Sequence, residues 1–155
     1  MKLTFFLICD NIRSLENIGS LFRTADALAV NKVFLCGISG KPPAEKISKT
    51  ALGAEQTVAW EYHKQAWRLV EQLKNQGVCV AALEQTTKSI PLQGFRPKFP
   101  LALVIGHEVK GVSSSVLERA NAILEIPMRG QKESLNVAVA FGITGYEINK
   151  RRRLS

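Results

Sequence analysis

Six short apolar segments recur along the chain, and polar stretches separate them. Within each segment the apolar residues run on continuously instead of alternating with polar ones. Continuous apolar runs of this length are typical of strands buried on both faces, as in a parallel sheet. The sequence therefore predicts six strands, over residues 3–9, 32–36, 56–60, 78–83, 101–105 and 122–126.

Helical patterns fill the intervals between these strands. Ser115 and Glu118 match a capping box, and Gly77 is a typical residue at a helix C-terminus. Strands that alternate with helices predict one α/β domain over residues 1–155, whose mostly parallel sheet is covered by helices on both faces. We predict helices from Asn17 onward, over 44–52, over 64–76, after 113–115, and from about Ser134 to the basic tail.

The charge of the chain points to a polyanionic partner. The 155 residues carry a formal net charge of +8, and 46% of them are apolar. This apolar content suits one folded domain, while the excess of positive charge favours nucleic acid among possible partners. No apolar run approaches the roughly 18 residues that a membrane span needs, so no membrane association is expected.

The three cysteines, Cys9, Cys36 and Cys79, stand singly inside apolar segments. An odd count without paired spacing argues against a disulfide framework or a zinc site, and no metal is expected. Free thiols predict a protein of the reducing cytoplasm. The apolar N-terminus stops at Asp10 without a cleavage site for a signal peptidase, and we interpret it as the first strand.

Familiar nucleotide-binding patterns are missing from the chain. No G-x-G-x-x-G sequence follows the first strand, and residues 37–42 lack the spacing of a phosphate loop. Residues 106–111 have that spacing between glycines, but Val112 stands where a lysine would be needed. A standard Rossmann or P-loop protein is therefore disfavoured.

The segment 126–140 runs from an apolar strand through a polar loop into a helix of small and apolar residues. Ser134 and Asn136 stand where a helix N-cap belongs, so free backbone N–H groups would face the loop. A polar loop over an apolar floor suits a small polar ligand. The alternative is an ordinary strand-loop-helix connection.

The segment 17–28 has apolar residues at helical spacing, and Asn17 is a good N-cap. Arg23 falls on the opposite side of this helix, with the small residues Gly19 and Ala27 one turn away on either side. Small neighbours leave room for a ligand or another backbone to approach the arginine. A solvated arginine on a helix surface is the alternative.

The segment 101–113 ends an apolar strand at Gly106, places the carboxylate of Glu108 two residues later, and bends again at Gly111. Ligands of α/β sheets gather at the carboxyl ends of strands, so Glu108 is a candidate functional carboxylate. Histidine is a common catalytic residue, so His107 is a candidate, but nothing nearby in the sequence positions it as a base, and we interpret it as a loop residue.

The three segments together, in this order, resemble the SpoU-type (TrmH-like) RNA ribose 2′-O-methyltransferases of the SPOUT class. Residues 49–54 also look like the segment that these enzymes carry between their first and second motifs. The resemblance covers nearly the whole chain. The matching residues are Asn17, Gly19, Arg23, Gly106, Glu108, Gly111, Pro127, Met128, Gly130, Ser134, Leu135 and Asn136.

This resemblance implies a C-terminal trefoil knot, S-adenosylmethionine bound in the knot, and a homodimer with composite active sites. It implies that Arg23 is the central catalytic residue, either as a base or as a group that grips a phosphate and polarises the ribose hydroxyl. Glu108 would organise the site, and Asn17 and Asn136 would position substrate or loop. The implied cofactor contacts are Leu83, Gly106, Ile126, Met128, Ser134 and Leu135. From the excess of positive charge we expect Arg23, Lys110 and Arg129 to contact tRNA or rRNA. The tail 150–153 either adds phosphate contacts or is a solvated end of the chain.

Two other functions stay open. A non-catalytic RNA-binding or ribosome-assembly protein could keep this fold, and the basic charge and basic tail would serve it. A SPOUT enzyme could instead methylate a base. The pair Asn17 and Arg23 and the triplet 134–136 favour the ribose.

Overall fold

The computed structural model describes residues 3–152 of the chain. A seven-stranded sheet forms the centre, and every pair of neighbouring strands is parallel. The strands are β1 (Phe5–Asp10), β2 (Lys32–Cys36), β3 (Trp60–His63), β4 (Cys79–Leu83), β5 (Ile90–Pro91), β6 (Leu101–Gly106) and β7 (Ala122–Glu125), in the spatial order β3-β2-β1-β6-β4-β7-β5.

Helices lie on both faces of this sheet, as predicted. They are α1 (Leu15–Ala27), α2 (Glu45–Ala51), α3 (Ala54–Thr57), α4 (Ala66–Asn75), α5 (Ser114–Leu117) and α6 (Val137–Asn149), with a 3₁₀ turn at Leu92–Gly94. One hydrophobic core lies under α1, α2, α3 and α6, and a second lies under α4 and α5. Alternate residues of each central strand serve the two cores, so the strands are apolar throughout.

The α1 helix positions most of the site. Ser14 is its N-cap, and the Ser14 hydroxyl accepts a hydrogen bond from the backbone N–H of Asn17. The prediction of Asn17 as the cap is therefore wrong, because the helix begins two residues before it. Asn17 lies within the first turn of α1, where its side-chain amide is available for contacts with other segments.

The predicted strand 56–60 is also wrong. Residues Ala54–Thr57 form the short helix α3, and β3 starts only at Trp60. Ala54 and Val58 both reach the core, whereas Gln56 between them is exposed. In a strand all three would share one face, so this burial fits a helical turn. The two-residue edge strand β5 has no pattern long enough to be recognised in the sequence.

Two helix starts differ from their predictions. The capping box of Ser115 and Glu118 is not formed, because α5 begins at Ser114 and spans only four residues. Asn136 caps α6, while Ser134 lies in the loop before it. The Asn136 side chain accepts from two N–H groups in the first turn of α6, so Asn136 and not Ser134 is the N-cap.

The chain returns from β7, near one side of the sheet, so that α6 packs against α1 and β6. The knot that the resemblance implies stays a prediction. No helix within residues 3–152 combines the length and hydropathy that a membrane crossing requires. All three cysteines are free, and burial raises the pKa of the Cys36 thiol to about 12.

Candidate functional site

The carboxyl ends of β6, β4 and β7 meet the N-terminal ends of α1 and α6 at one edge of the sheet. This arrangement follows from parallel strands, whose carboxyl ends share an edge. The loops that leave these strands therefore come together although they are far apart in sequence. They are residues 84–89 after β4, 107–113 after β6 and 126–136 after β7.

Three predicted site residues form one hydrogen-bonded chain across this edge. The Asn17 side-chain amide donates to Oε2 of Glu108 at 3.3 Å, and the Asn136 amide donates to Oδ1 of Asn17 at 3.1 Å. Asn136 also accepts from the N–H groups of Ala138 and Val139, at 2.8 and 3.2 Å. The loop after β6 and the starts of α1 and α6 are thus linked through Asn17.

Glu108 is also bound to the backbone that leads into α1. Its two carboxylate oxygens accept from the N–H groups of Arg13 at 3.1 Å and Ser14 at 2.9 Å. Burial alone would raise the pKa of Glu108, but backbone N–H groups, including its own, and the Asn17 amide together hold this pKa below its usual value. Glu108 is therefore an ionised organising group, and a poor proton acceptor at neutral pH.

The loop after β6 folds tightly because two glycines allow it. A Cβ atom on Gly106 would lie 2.3 Å from the backbone of Gly111, and Gly111 itself has φ +74°. His107 shapes the same turn, because its Nδ1 accepts from the N–H groups of Val109 and Lys110, both at 3.0 Å. The imidazole thus stabilises the loop, as the sequence suggested, and its Nδ1 lone pair is occupied.

Beside this network lies a cavity of about 280 Å³ that opens to solvent. Apolar side chains from three strand ends and from α6 line one part of it, and carboxylates and loop backbone line another. Glu108 and Asn136 contribute to its wall. The six residues that the resemblance implies for the cofactor all line it: Leu83, Gly106, Ile126, Met128, Ser134 and Leu135.

The cationic candidates lie outside this cavity. Arg23 is exposed on α1, and within residues 3–152 its guanidinium makes no hydrogen bond or ion pair. Lys110 and Arg129 are exposed on the loops after β6 and β7, next to the cavity but not part of its lining. The structure thus brings together Asn17, Glu108 and Asn136, while the role of Arg23 depends on what approaches α1 from outside.

Sequence reasoning missed two carboxylates of the site, Glu84 and Glu125, which both line the cavity. It also missed Asp10, a buried residue whose carboxylate accepts from the Ser113 N–H at 2.9 Å and from the Ser113 hydroxyl at 2.7 Å. Each of these residues ends or directly follows a strand. A carboxylate at the carboxyl end of a buried parallel strand was the available signal.

One stripe of α6 leaves apolar side chains exposed. Val139, Ile143 and Tyr146 are 52%, 43% and 64% exposed, and their spacing places them along one side of the helix. The opposite side packs on α1, where a Cβ on Gly145 would lie 2.5 Å from Leu28. Gly145 thus allows a close approach between α6 and the residue that follows α1 within one chain.

One residue of the basic tail, Arg152, packs back onto the rest of the protein. Arg152 donates hydrogen bonds to the carbonyls of Leu3, Leu28 and Ala29 and to the side chains of Asn31 and Asn149. Burial lowers the pKa of this guanidinium from its usual value. Arg152 therefore holds the end of α1, and its guanidinium is engaged within the chain. RNA binding by the tail stays a prediction, and Arg153 lies outside the described residues.

The parallel sheet, and the open cavity where its strand-end loops meet the starts of α1 and α6, define an α/β protein with a candidate ligand site at the carboxyl edge of its sheet. A family model for the SpoU rRNA Methylase family matches residues 4–146. The chain belongs to this family, which confirms the resemblance drawn from its sequence motifs.

Known proteins resemble the chain over nearly its whole length. YacO of Bacillus subtilis (strain 168), named for the TrmH family of tRNA/rRNA methyltransferases, is 30% identical over 148 residues, which are 96% of this chain and 59% of YacO. A solved structure described as "Structural insights into the 2-OH methylation of C/U34 on tRNA" superposes on this chain with a TM-score of 0.85 at 28% identity. The match covers 96% of this chain and 95% of that one. The AdoMet-bound rRNA methyltransferase of Sinorhizobium meliloti has a TM-score of 0.90 at 24% identity, covering 97% of this chain and 57% of that one. The chain thus spans about three-fifths of YacO.

Proposed function

We propose that this protein transfers a methyl group from S-adenosylmethionine to a ribose 2′-hydroxyl of tRNA or rRNA. The cavity beside the Glu108–Asn17–Asn136 network is the observation that carries the proposal, because it joins a nucleoside-sized site to a group of ordered polar side chains. Membership of the SpoU family supports methyl transfer to RNA, and the AdoMet-bound relative supports the cofactor.

The residues present suit this cofactor. Apolar side chains such as Leu83, Ile126 and Leu135 would cover an adenine ring, and the loop backbone would supply hydrogen bonds to its polar edge. Carboxylates in the same lining would accept from hydroxyl and ammonium groups. When bound, the cofactor supplies an electrophilic methyl group on a positively charged sulfur and leaves as a neutral thioether.

The polar network would hold the RNA end of the site in place. Glu108 fixes the start of α1, and Asn17 and Asn136 keep fixed amide groups at the cavity rim. Such fixed dipoles are effective because they need no reorganisation during the reaction. A ribose hydroxyl is a weak nucleophile until its proton is being removed, so the site must align it and ease that loss.

Arg23 would act on the RNA. Arginine stays protonated in proteins, so it is better suited to grip a phosphate and polarise the hydroxyl than to remove a proton. A phosphate oxygen or water would then take the proton. The residue next to Arg23 in the chain, Thr24, would lie 3.8 Å from a Cβ on Gly142 of α6, so α1 meets α6 beside Arg23.

A second copy of the chain would complete the site. The exposed stripe of Val139, Ile143 and Tyr146 is a surface that a homodimer would bury, and Arg23 beside it would then face the partner. Val139→Glu combined with Ile143→Glu should convert a dimer into a monomer in light scattering. Ile38→Glu changes a similarly exposed apolar residue elsewhere and is the matched control. A wild-type monomer at micromolar concentration would contradict the dimer.

The direct test of function is transfer of labelled methyl groups to total tRNA and total rRNA, followed by nucleoside analysis. We expect 2′-O-methylated nucleosides, and loss of product with Arg23→Ala. Methylated bases would instead identify a base methyltransferase. RNA binding without cofactor binding or methyl transfer would identify the non-catalytic protein. The cytoplasm is the proposed location, since all three thiols are free.

A further inference from the structure

The cavity is negatively charged although the protein is strongly positive. Three glutamates line it, Glu84, Glu108 and Glu125, and among the described residues its lining includes no lysine or arginine. The whole chain carries a formal net charge of +8. The lysines and arginines of the three flanking loops are all exposed and outside the lining: Lys88, Lys110, Arg129 and Lys132.

The three carboxylates differ in how far hydrogen bonds already occupy them. Glu108 has both oxygens bound to N–H groups at the start of α1. Glu84 accepts from the Val112 N–H through Oε1 at 2.8 Å, and Glu125 accepts from the Ser89 hydroxyl through its own Oε1. The Oε2 atoms of Glu84 and Glu125 make no hydrogen bond to any residue within 3–152.

Glu84 is held firmly at the cavity wall. Its backbone N–H donates to the Leu124 carbonyl at 2.9 Å, which extends the pairing of β4 with β7. Gly111 lies against the carboxylate so closely that a Cβ there would be 2.3 Å from Oε1. The charge of Glu84 therefore has a fixed position, and a bound ligand would meet it without rearrangement of the loop.

We infer that Glu84 and Glu125 make this cavity select the positively charged methyl donor over the neutral thioether that remains after transfer. The inference rests on the proposed function. In the transfer, the C–S bond breaks with its electron pair left on sulfur, a C–O bond forms, and the hydroxyl proton is released. The sulfur thereby loses its positive charge, and the attraction between two nearby opposite charges is lost with it. The product leaves more readily for that reason.

Binding measurements without RNA test this charge selection. Titration calorimetry would compare three ligands: S-adenosylmethionine, sinefungin, which has an ammonium group in place of the sulfonium, and neutral S-adenosylhomocysteine. We expect the wild type to bind the two cationic ligands about tenfold more tightly than the neutral one. Rising ionic strength should narrow this ratio, since the cavity opens to solvent.

Variants separate the charge from the structural role of Glu84. Glu84→Gln keeps a carbonyl oxygen for the Val112 N–H but removes the charge, so it should weaken the cationic ligands and leave the neutral one nearly unchanged. Glu125→Gln should act in the same direction. Glu133→Gln, on the loop after β7 but outside the cavity lining, is the matched control and should keep the wild-type ratio.

The outcomes distinguish this inference from the proposed function. If the wild type binds all three ligands with equal affinity, or if Glu84→Gln weakens all three equally, the charge selection is wrong and the proposed function stands. If none of the three ligands binds, the proposed cofactor is wrong and the inference falls with it. The charge selection is supported if Glu84→Gln lowers the ratio of cationic to neutral ligand affinity and Glu133→Gln leaves this ratio unchanged.

Discussion

The two ends of the parallel sheet use the same kind of side chain for different purposes. At the amino end, Asn31 and Asn121 each accept a backbone N–H of a strand, from Phe5 at 2.9 Å and Val80 at 2.8 Å. At the carboxyl end, Asn17 and Asn136 bind each other. The first pair completes the hydrogen bonding of the sheet, and the second pair joins separate loops beside a cavity.

Charged residues show the same division. Arg152 lies at the amino end of β1, where it donates to backbone carbonyls and closes the surface. Glu84, Glu108 and Glu125 lie at the carboxyl end, around an open space. Polar groups that satisfy their own backbone stabilise the fold, whereas polar groups around an open cavity remain available to a ligand. Substitutions at the two ends should therefore separate stability from activity.

The largest effect on activity is expected for Arg23→Ala. We expect methyl transfer to fall at least ~100-fold, because a charge that binds the RNA and the reacting hydroxyl is removed. The free energy of unfolding should change by less than about 0.5 kcal/mol, since Arg23 is exposed and supports no contact in the core.

A labelled-methyl assay and thermal unfolding measure these two quantities. Arg68→Ala, which removes another exposed arginine on α4, is the control and should keep full activity. Full activity of Arg23→Ala would remove Arg23 from the proposed site, and an unfolded variant would show that the arginine stabilises the fold.

Arg152→Ala should have the opposite effect to Arg23→Ala, with lower stability and unchanged cofactor binding. This variant leaves the carbonyls of Leu3, Leu28 and Ala29 without their charged donor, which should lower the free energy of unfolding by about 2 kcal/mol. Cofactor affinity should not change at temperatures where the variant is folded. Urea unfolding checks the first statement and calorimetry checks the second.

Arg151→Ala is the matched control for that variant, because Arg151 is the exposed neighbour in the same tail. Equal stability of the two variants would show that the hydrogen bonds of Arg152 contribute little. The contacts of Arg152 also change how a tail deletion must be interpreted. Removal of residues 150–155 would weaken the fold itself, so a loss of RNA affinity would not identify the tail as an RNA contact.

The sheet could be predicted from the sequence because strands buried on both faces are continuously apolar, and such runs are easily recognised. Five of the seven strands lie within a few residues of their predicted positions. The exceptions are short or ambiguous elements. Residues 56–60 contain Thr57 and Val58, which suit a strand, yet a helical turn buries Ala54 and Val58 together.

The site residues that belong to a recognisable motif could be predicted, as Asn17, Glu108 and Asn136 were. The hydrogen bonds among these residues were not predictable, since they join segments more than 90 positions apart. The contacts of Glu84 and Arg152 were not predictable for a related reason. Nothing in the local sequence shows that Glu84 faces Gly111, or that Arg152 returns to the end of α1.

A smaller effect is expected from two asparagine variants, which compare the two ends of the sheet directly. Asn17→Ala removes the link between Glu108 and Asn136, so methyl transfer should fall about tenfold with little loss of stability. Asn121→Ala leaves the Val80 N–H without its acceptor, so the free energy of unfolding should fall by about 1 kcal/mol while transfer is kept. If both variants lost stability and neither lost activity, the proposed division of labour would be wrong.

The smallest effect concerns acid stability and Glu108. Because the folded pKa of Glu108 lies below its usual value of 4.5, the carboxylate stabilises the folded state above about pH 4.5. This contribution should be lost as the pH falls from 4.5 through the folded pKa. Glu108→Gln removes it at every pH, so the stability of the variant should decline less steeply than that of the wild type below pH 4.5. Since Glu108 is exposed, the difference in free energy of unfolding between wild type and Glu108→Gln at neutral pH should stay below about 1 kcal/mol.

Urea unfolding between pH 3 and 7 measures the stability of both proteins, with Glu133→Gln as the control that should follow the wild type. Parallel curves for wild type and Glu108→Gln would show that the hydrogen bonds from Arg13 and Ser14 do not favour the ionised carboxylate.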